Sequence, residues 1–317
     1  MVKIDYYDIQ FDTKNGVYYA GQKVCGTIII SLQDSVKASS LWISLMGEAK
    51  TSWVNKTSDK IFERLEAYLN ERQNIPYLHQ ISDGELLPPG VHSMPFAFQL
   101  PAQLPSSYEG DFGYVRYYVT AHVELSADQV CGPIPGFQGV RDMKMDKTLT
   151  VLAVVDAAAF PSGAGYAREE TFEIVGCCRA SGSLTASISI PSSAFVVGQP
   201  MRITVKTINN TSKKSKPATL LLIQEAHFES RSRYENVSDA KKLTRVVESA
   251  TFDVAGEQNG TKTVLKDILF DLPPDLTPST VHLHCIISVS YKLKLDLGIG
   301  CEIVQPVYIA SINSKPV

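Results

Sequence analysis

The sequence predicts an all-β protein built from two tandem antiparallel β-sandwich domains. Three observations support this fold class. Apolar and polar residues alternate along many short segments, turn-forming residues separate most of these segments, and the two halves of the chain contain matching segments in the same order. The sequence shows no strand–helix–strand rhythm, which would indicate a parallel sheet. The length of 317 residues also favours two domains.

Two long segments alternate strictly between apolar and polar residues. In 115–125 and in 281–293 every second residue is apolar, and the residues between them are mostly polar. A period of two residues is typical of a strand with one buried and one solvated face. Further strands are expected at 4–11, 24–32, 41–48, 94–100, 147–155, 184–190, 201–208, 219–228, 245–254, 264–271 and 302–312.

The two halves resemble each other at three places. Residues 98–107 (FQLPAQLPSS) match 270–279 (FDLPPDLTPS), and a Gly-Gln pair at Gly21 has its counterpart at Gly198. The two long alternating segments follow the Pro-rich matches at nearly the same offset. Such order indicates a duplicated domain, in which a turn opens a strand, a Pro-rich corner follows, and a long strand crosses the core.

The predicted boundary between the copies lies where the composition changes. We expect an N-terminal sandwich over 1–155, a linker over 156–171 and a C-terminal sandwich over 172–317. The linker is assigned because Ala, Gly, Ser and Pro dominate its first ten residues, which is typical of a flexible connection.

One segment departs from the all-β pattern. Between 58 and 70, apolar residues follow a helical spacing, and Ser58 could cap a helix. We therefore expect at most one short helix there. Its apolar stripe could contact a membrane or a partner, but packing against its own sheet is the favoured interpretation. The stripe consists of Ile61, Phe62, Leu65, Tyr68 and Leu69.

Composition excludes several classes of protein. Hydrophobic residues make up 44% and charged residues 20% of the chain, and the net charge is −3, which argues against a disordered chain and against bulk binding of nucleic acid. The most apolar stretch, 149–160, is too short to cross a bilayer. The charged start of the sequence does not resemble a signal peptide, and the six cysteines contain no Cys-x-x-Cys pair. We expect a cytoplasmic protein with reduced thiols.

The sequence contains no recognisable catalytic or metal-binding motif. His282 and His284 would share a strand face, but a third ligand is missing nearby, and the adjacent Cys177 and Cys178 would point to opposite faces of a strand. We therefore expect no enzymatic activity, no catalytic residue, no cofactor and no bound metal.

Two clusters of basic residues are the candidate binding site. Each is predicted to lie in a polar turn, where it could contact anionic lipid headgroups or acidic partner segments. Short lysine clusters are also common on the surfaces of soluble proteins, so ordinary solvated charge is the alternative. The candidate residues are Lys213, Lys214, Lys216, Lys241, Lys242 and Arg245.

Several motifs resemble those of the arrestin-domain-containing proteins, the alpha-arrestins. Residues 87–101 (LPPGVHSMPFAFQLP), 104–110 (LPSSYEG) and 115–119 (VRYYV) are similar to the signature of their N-terminal domain, and 17–26 (VYYAGQKVCG) resembles its opening strand and turn. Three further matches resemble the start of their C-terminal domain. These are Cys177-Cys178 followed by Gly182, residues 194–199 (AFVVGQ) and residues 209–212 (NNTS).

This resemblance implies a fold and a function. The fold would be two immunoglobulin-like sandwiches, as in arrestins. The function would be that of a non-enzymatic cytoplasmic adaptor, present peripherally at the plasma membrane and endosomes, which recognises cytoplasmic segments of membrane receptors or transporters. Such adaptors recruit HECT-type ubiquitin ligases and direct cargo into endocytic sorting. The alternative is a structural subunit of an endosomal coat, because a retromer subunit has the same double sandwich.

The sequence departs from the family in two motifs. Family members dock their ligases through Pro-Pro-x-Tyr, but the tyrosine position holds Val91 after Pro88-Pro89 and Leu276 after Pro273-Pro274. We expect either that a ligase is recruited through a tail that this chain does not contain, or that the protein works without direct docking of a ligase. One branch of the family captures thioredoxin through a cysteine of the C-terminal domain. Because the sequence between Cys178 and Cys285 contains no cysteine, we expect no such disulfide.

Overall fold

The computed structural model of this chain describes residues 4–76, 86–125, 142–175, 180–211, 217–253, 262–281, 284–298 and 300–314. Most of these residues lie in β-strands, and the sheets are dominated by antiparallel pairs. The predicted all-β class is therefore confirmed. The chain forms two compact units. The first comprises Met1–Ala153 and Glu229–Asp239, and the second comprises Val154–Phe228 and Ala240–Val317.

The first unit contains two sheets. One sheet has the strand order β1-β3-β7, and the other has the order β2-β10-β9-β4-β5, with β6 paired to β4 and β8 paired to β9. The strands are β1 (Ile4–Phe11), β2 (Val17–Tyr19), β3 (Lys23–Leu32), β4 (Val36–Asn55), β5 (Lys60–Asn74), β6 (Leu86–Leu87), β7 (Gly90–Gln99), β8 (Tyr108–Gly110), β9 (Gly113–Leu125) and β10 (Asp142–Leu152).

The second unit also contains two sheets. Their strand orders are β11-β12-β14-β17 and β13-β19-β18-β15-β16. The elements are the 3-10 helix η1 (Ala157–Ala159) and the strands β11 (Ser162–Val175), β12 (Ala180–Ser192), β13 (Ala194–Val196), β14 (Pro200–Asn209), β15 (Ala218–Arg231), β16 (Ser238–Phe252), β17 (Lys262–Asp271), β18 (Ile287–Asp296) and β19 (Glu302–Ala310).

The core of each unit consists of the apolar faces that alternation predicted. In β9, Val115, Tyr117 and Val119 are buried, and in β18 Val289, Tyr291 and Leu293 are buried. The residues between them are mostly more exposed, which is the pattern of a strand with one solvated face.

Both units contain the same Pro-rich corner. In the first unit, Ser107 exchanges hydrogen bonds with Val151: its N–H donates to the Val151 carbonyl at 2.7 Å, and its Oγ accepts from the Val151 N–H at 3.0 Å. In the second unit, Ser279 does the same with Ile309, at 2.8 and 2.9 Å.

A buried tyrosine crosses each corner. The Tyr117 hydroxyl donates to the Pro105 carbonyl at 2.7 Å, and the Tyr291 hydroxyl donates to the Thr277 carbonyl at 2.5 Å. Pro105 and Thr277 occupy equivalent positions of the two matching segments, so the sequence repeat corresponds to a repeated structural feature.

No helix forms over 58–70, where at most one short helix was expected, because β5 occupies most of this segment. Phe62 lies opposite Trp53, and Leu69 lies opposite Gly47. Both side chains are buried, although an odd separation along a regular strand would place them on opposite faces. A β-bulge reconciles these facts, because Glu48 pairs with Ala67 and leaves Tyr68 as the extra residue. This bulge imitates the spacing of a helix.

The predicted linker over 156–171 is also replaced by regular structure. It contains η1, and from residue 162 onward it belongs to β11, which pairs with β12 from Ser162↔Ser192 to Val175↔Ala180. Because β11 is an edge strand of its sheet, backbone hydrogen bonds rather than a continuous apolar face hold it there. Small residues at its start gave the segment the composition of a linker.

The long strand of the second half begins later than predicted. It starts at Ile287 instead of residue 281, because the chain before it folds back on β18. The Thr280 N–H donates to the Val289 carbonyl at 2.8 Å, and the Thr280 hydroxyl accepts from the Val289 N–H at 2.9 Å. His284 therefore lies outside a strand, and His282 lies outside the described residues.

Candidate functional site

The structure describes three of the six predicted basic residues. Lys241, Lys242 and Arg245 lie in β16, whereas Lys213, Lys214 and Lys216 lie outside the described residues. The prediction that the first three occupy a turn is wrong. None of the fifteen residues of β16 is buried. The segment that contains the three basic residues therefore needs no apolar face, and it lacks the alternation of apolar and polar residues by which a strand is recognised in a sequence.

β16 forms one edge of the five-stranded sheet. Within the described part of the chain it has one neighbour in that sheet, β15. An edge strand presents unpaired N–H and C=O groups along its free side, and these groups can pair with an extended segment of another protein. The strand therefore offers a backbone edge with basic side chains on it.

Lys242 belongs to an ion-pair network that crosses three strands. Glu225 on β15 contacts Lys242 on β16 at 2.8 Å and Lys292 on β18 at 2.5 Å. Burial raises the pKa of the Glu225 carboxyl, but the hydrogen bonds and charges of the two lysines outweigh burial and lower the pKa below its usual range. Glu225 thus neutralises part of the positive charge that the sequence assigned to the cluster.

Lys241 and Arg245 provide the charge that is available for binding. Neither forms an ion pair with a residue that the structure describes, and Arg245 is exposed whereas Lys241 is half-buried. A guanidinium group can bind a carboxylate or a phosphate with two parallel hydrogen bonds, and an ammonium group adds a point charge. We refer to Lys241, Lys242 and Arg245 as the β16 patch.

The first unit carries a second candidate surface, which the sequence analysis did not find. Trp42 on β4 lies opposite His122 on β9, and their rings stack at 4.5 Å between centroids. The Arg72 guanidinium lies 4.1 Å from the centroid of the Trp42 ring. These side chains form an aromatic and cationic platform on the solvated face of the sheet. A tryptophan at a polar position of an alternating strand is the signal that could have revealed it.

The described residues contain no arrangement that resembles a catalytic or metal centre. No group of three or more His, Cys, Asp or Glu side chains among them could hold a metal ion. The same residues contain no helix that is both long and apolar enough to cross a bilayer. The candidate surfaces among the described residues are the charged edge of β16 and the stack of Trp42 and His122.

Two units of antiparallel sheets in tandem define a double β-sandwich protein, and comparison with known families identifies which one. The model of the arrestin (or S-antigen) N-terminal domain matches residues 7–158, and the model of the C-terminal domain matches residues 180–314. The chain belongs to the arrestin family.

Similar proteins share this domain pair. Arrestin domain-containing protein 17 of Caenorhabditis elegans is 28% identical over 98% of this chain and 72% of its own length. Human arrestin domain-containing protein 1 is 23% identical over 100% of this chain and 67% of its own length. Human arrestin domain-containing protein 4 is 25% identical over 91% of this chain and 66% of its own length. The resemblance to the arrestin-domain-containing proteins and the tandem β-sandwich fold are both confirmed.

Proposed function

We propose that this protein is a non-enzymatic cytoplasmic adaptor that recognises cytoplasmic segments of membrane receptors or transporters and links them to ubiquitination and endocytic sorting. Its membership of the arrestin family supports the adaptor class. The observation that carries the cargo-binding part is the exposed basic edge of β16. A HECT-type ligase would act through a segment outside this chain, and the adaptor would work at the plasma membrane and endosomes.

The β16 patch favours a cargo segment that is extended and acidic. Such a segment can add to β16 as a further strand, so backbone hydrogen bonds supply affinity. Its carboxylates or phosphates would pair with Lys241 and Arg245, which select against neutral and basic segments. Each exposed ion pair contributes about 0.2–1 kcal/mol, so specificity needs both cations together with the backbone edge.

Charge reversal of the patch should weaken cargo binding. The double variant Lys241→Glu/Arg245→Glu replaces two attractive contacts with two repulsive ones, and we expect a loss of roughly tenfold in affinity for an acidic extended peptide. Fluorescence anisotropy with a labelled poly-glutamate-containing peptide measures this. Added salt should lower the affinity of the wild type and narrow its difference from the double variant, because salt screens attraction and repulsion alike.

A matched control comes from the other sheet of the same unit. Arg202→Glu/Lys206→Glu changes one exposed arginine and one exposed lysine on β14, which lies inside a sheet. Both double variants change the net charge equally. The control should therefore bind the peptide nearly as tightly as the wild type does, and any small loss that it shows measures the effect of net charge alone. Equal losses in both double variants would show that bulk charge rather than the β16 edge is responsible. A loss confined to binding of phosphatidylserine vesicles would assign the patch to the membrane.

The adaptor proposal itself is tested by crosslinking and affinity purification from cytosol and membranes, followed by mass spectrometry. We expect receptors or transporters to be recovered with the wild-type chain and to be depleted with Lys241→Glu/Arg245→Glu. Recovery of one stoichiometric endosomal complex, unaffected by the variant, would instead support a coat subunit.

A further inference from the structure

Among the large apolar and aromatic side chains that the structure describes, the side chain of Tyr234 is the most exposed. It lies in the bend at 232–237 between β15 and β16, and 77% of its surface is exposed. The bend is closed by the Ser232 N–H, which donates to the Val237 carbonyl at 2.8 Å. Because Tyr234 lies outside the paired strands, its hydroxyl is accessible to an enzyme without opening of a sheet.

The bend belongs to the first unit, where it contacts β5. The Arg233 N–H donates to the Ile61 carbonyl at 3.0 Å, and the Arg233 guanidinium donates to the Glu63 carboxylate. On the other side of Tyr234, Glu235 forms an ion pair with Lys60 at 2.6 Å. Tyr234 therefore lies between the two ion pairs that hold the bend against β5.

Arg233 can leave Glu63 without leaving the Glu63 carboxylate unpaired. Glu63 also accepts from Lys50 at 2.8 Å, and the pKa of its carboxyl is lowered chiefly by this hydrogen bond, with Arg233 adding to the effect. If Arg233 leaves, Glu63 keeps a cation. The pKa of the Arg233 guanidinium is raised by the charge of Glu63 and the hydrogen bond to it, and by a hydrogen bond to the Tyr234 hydroxyl. The guanidinium thus lies within reach of both side chains.

We propose that Tyr234 is a phosphorylation site for a protein-tyrosine kinase and that its phosphate draws Arg233 away from Glu63, which loosens the bend from β5. In the reaction, the Tyr234 Oη attacks the γ-phosphorus of ATP and forms the new P–O bond. The bond between the β- and γ-phosphoryl groups breaks, ADP leaves, and the phenolic proton passes to the base of the kinase.

The added phosphate competes effectively for Arg233. It carries about 1.5 to 2 negative charges at neutral pH and three acceptor oxygens, against one charge and two oxygens for Glu63. A guanidinium binds a phosphate with two parallel hydrogen bonds, and this pairing is among the stronger charge-assisted contacts in proteins. The phosphate also lies next to Glu235 in the chain, so repulsion disfavours the present arrangement of the bend. Both effects act against the contacts with β5.

The first test is a time course with the catalytic domain of a broad-specificity tyrosine kinase, Mg²⁺ and ATP on the native full chain, read by site-resolved mass spectrometry. We expect Tyr234 to be modified roughly tenfold faster than the other tyrosines that the structure describes, because those lie in strands and need local opening. Tyr6 and Tyr308, which are 45% and 39% exposed but lie in strands, are the internal comparison. Tyr234→Phe should lack the first phosphate. The proposal would be overturned if phosphate entered another of the described tyrosines first, or if it entered Tyr234 only after denaturation.

The second test measures the contact with β5 by hydrogen exchange of the phosphorylated and unmodified chains. Loss of this exposed ion pair should speed exchange of the Arg233 amide by about fivefold. Arg233→Gln should exchange fast already without phosphate, and phosphorylation should change it little. If phosphate leaves exchange of the Arg233 amide in the wild type unchanged, Arg233 has not moved, and the proposed switch is wrong even where the site is modified.

Discussion

Replacing Gly47 by valine is expected to destabilise the first unit by about 3 kcal/mol. Gly47 lies opposite Tyr117, and a Cβ at this position would be 2.5 Å from the nearest atom of the Tyr117 ring. The ring cannot retreat easily, because Tyr117 is buried and its hydroxyl donates to the Pro105 carbonyl. Leu69, whose Cβ would be 3.3 Å away, closes the other side. Overpacking at this point must therefore shift the sheet or expel the tyrosine.

Urea unfolding followed by tryptophan fluorescence measures this effect directly. Both tryptophans of the chain, Trp42 and Trp53, lie in the first unit and report its transition. Ala67→Val, an exposed position on β5, is the matched control and should change stability by less than about 0.5 kcal/mol. Pairing Gly47→Val with Tyr117→Leu should recover part of the loss, since the smaller side chain makes room. A Gly47→Val midpoint equal to that of the control would contradict the packing argument.

The sequence predicts strands well where one face is buried. In β9 and in β18, burial of every second side chain gives a period that a regular helix cannot have, so their existence follows from residue order alone. The repeated corner could also be predicted from the sequence, because Ser107 and Ser279 occupy matching positions of the repeat. Their equivalent hydrogen bonds require the same local path of the chain. Local periodicity and short-range turn chemistry thus account for most of the fold.

The failures have physical causes that no local pattern contains. Tyr68 bulges out of β5, which shifts the alternation by one residue and imitates a helix. β16 is stabilised by pairing with β15 and lacks a buried face, so its basic residues have the composition of a turn. The stack of Trp42 and His122 depends on the register between β4 and β9, which is set by the whole sheet. Basic residues could be named in advance, but their partners, such as Glu225, could not.

Tyr291→Phe is expected to destabilise the second unit by about 2–3 kcal/mol, more than Tyr117→Phe destabilises the first. The Tyr291 hydroxyl makes two hydrogen bonds: it accepts a buried one from the Gln224 side-chain amide at 2.6 Å and donates a partly buried one to the Thr277 carbonyl at 2.5 Å. Removing the hydroxyl leaves the buried Gln224 amide and the partly buried Thr277 carbonyl without this partner. At the equivalent corner, Tyr117→Phe removes the hydrogen bond to the Pro105 carbonyl, and about 1 kcal/mol is expected for its loss.

Hydrogen exchange in increasing urea measures each unit by itself: peptides from β18 report the cost of Tyr291→Phe, and peptides from β9 report the cost of Tyr117→Phe. The double variant Tyr291→Phe/Gln224→Met tests the origin of the cost. It removes the buried amide as well as the hydroxyl, so it should be more stable than Tyr291→Phe by about 1 kcal/mol, although it carries one substitution more. Equal costs for Tyr291→Phe and Tyr117→Phe would mean that the Gln224 amide finds another acceptor in the core. In that case the two corners would be energetically as well as geometrically alike.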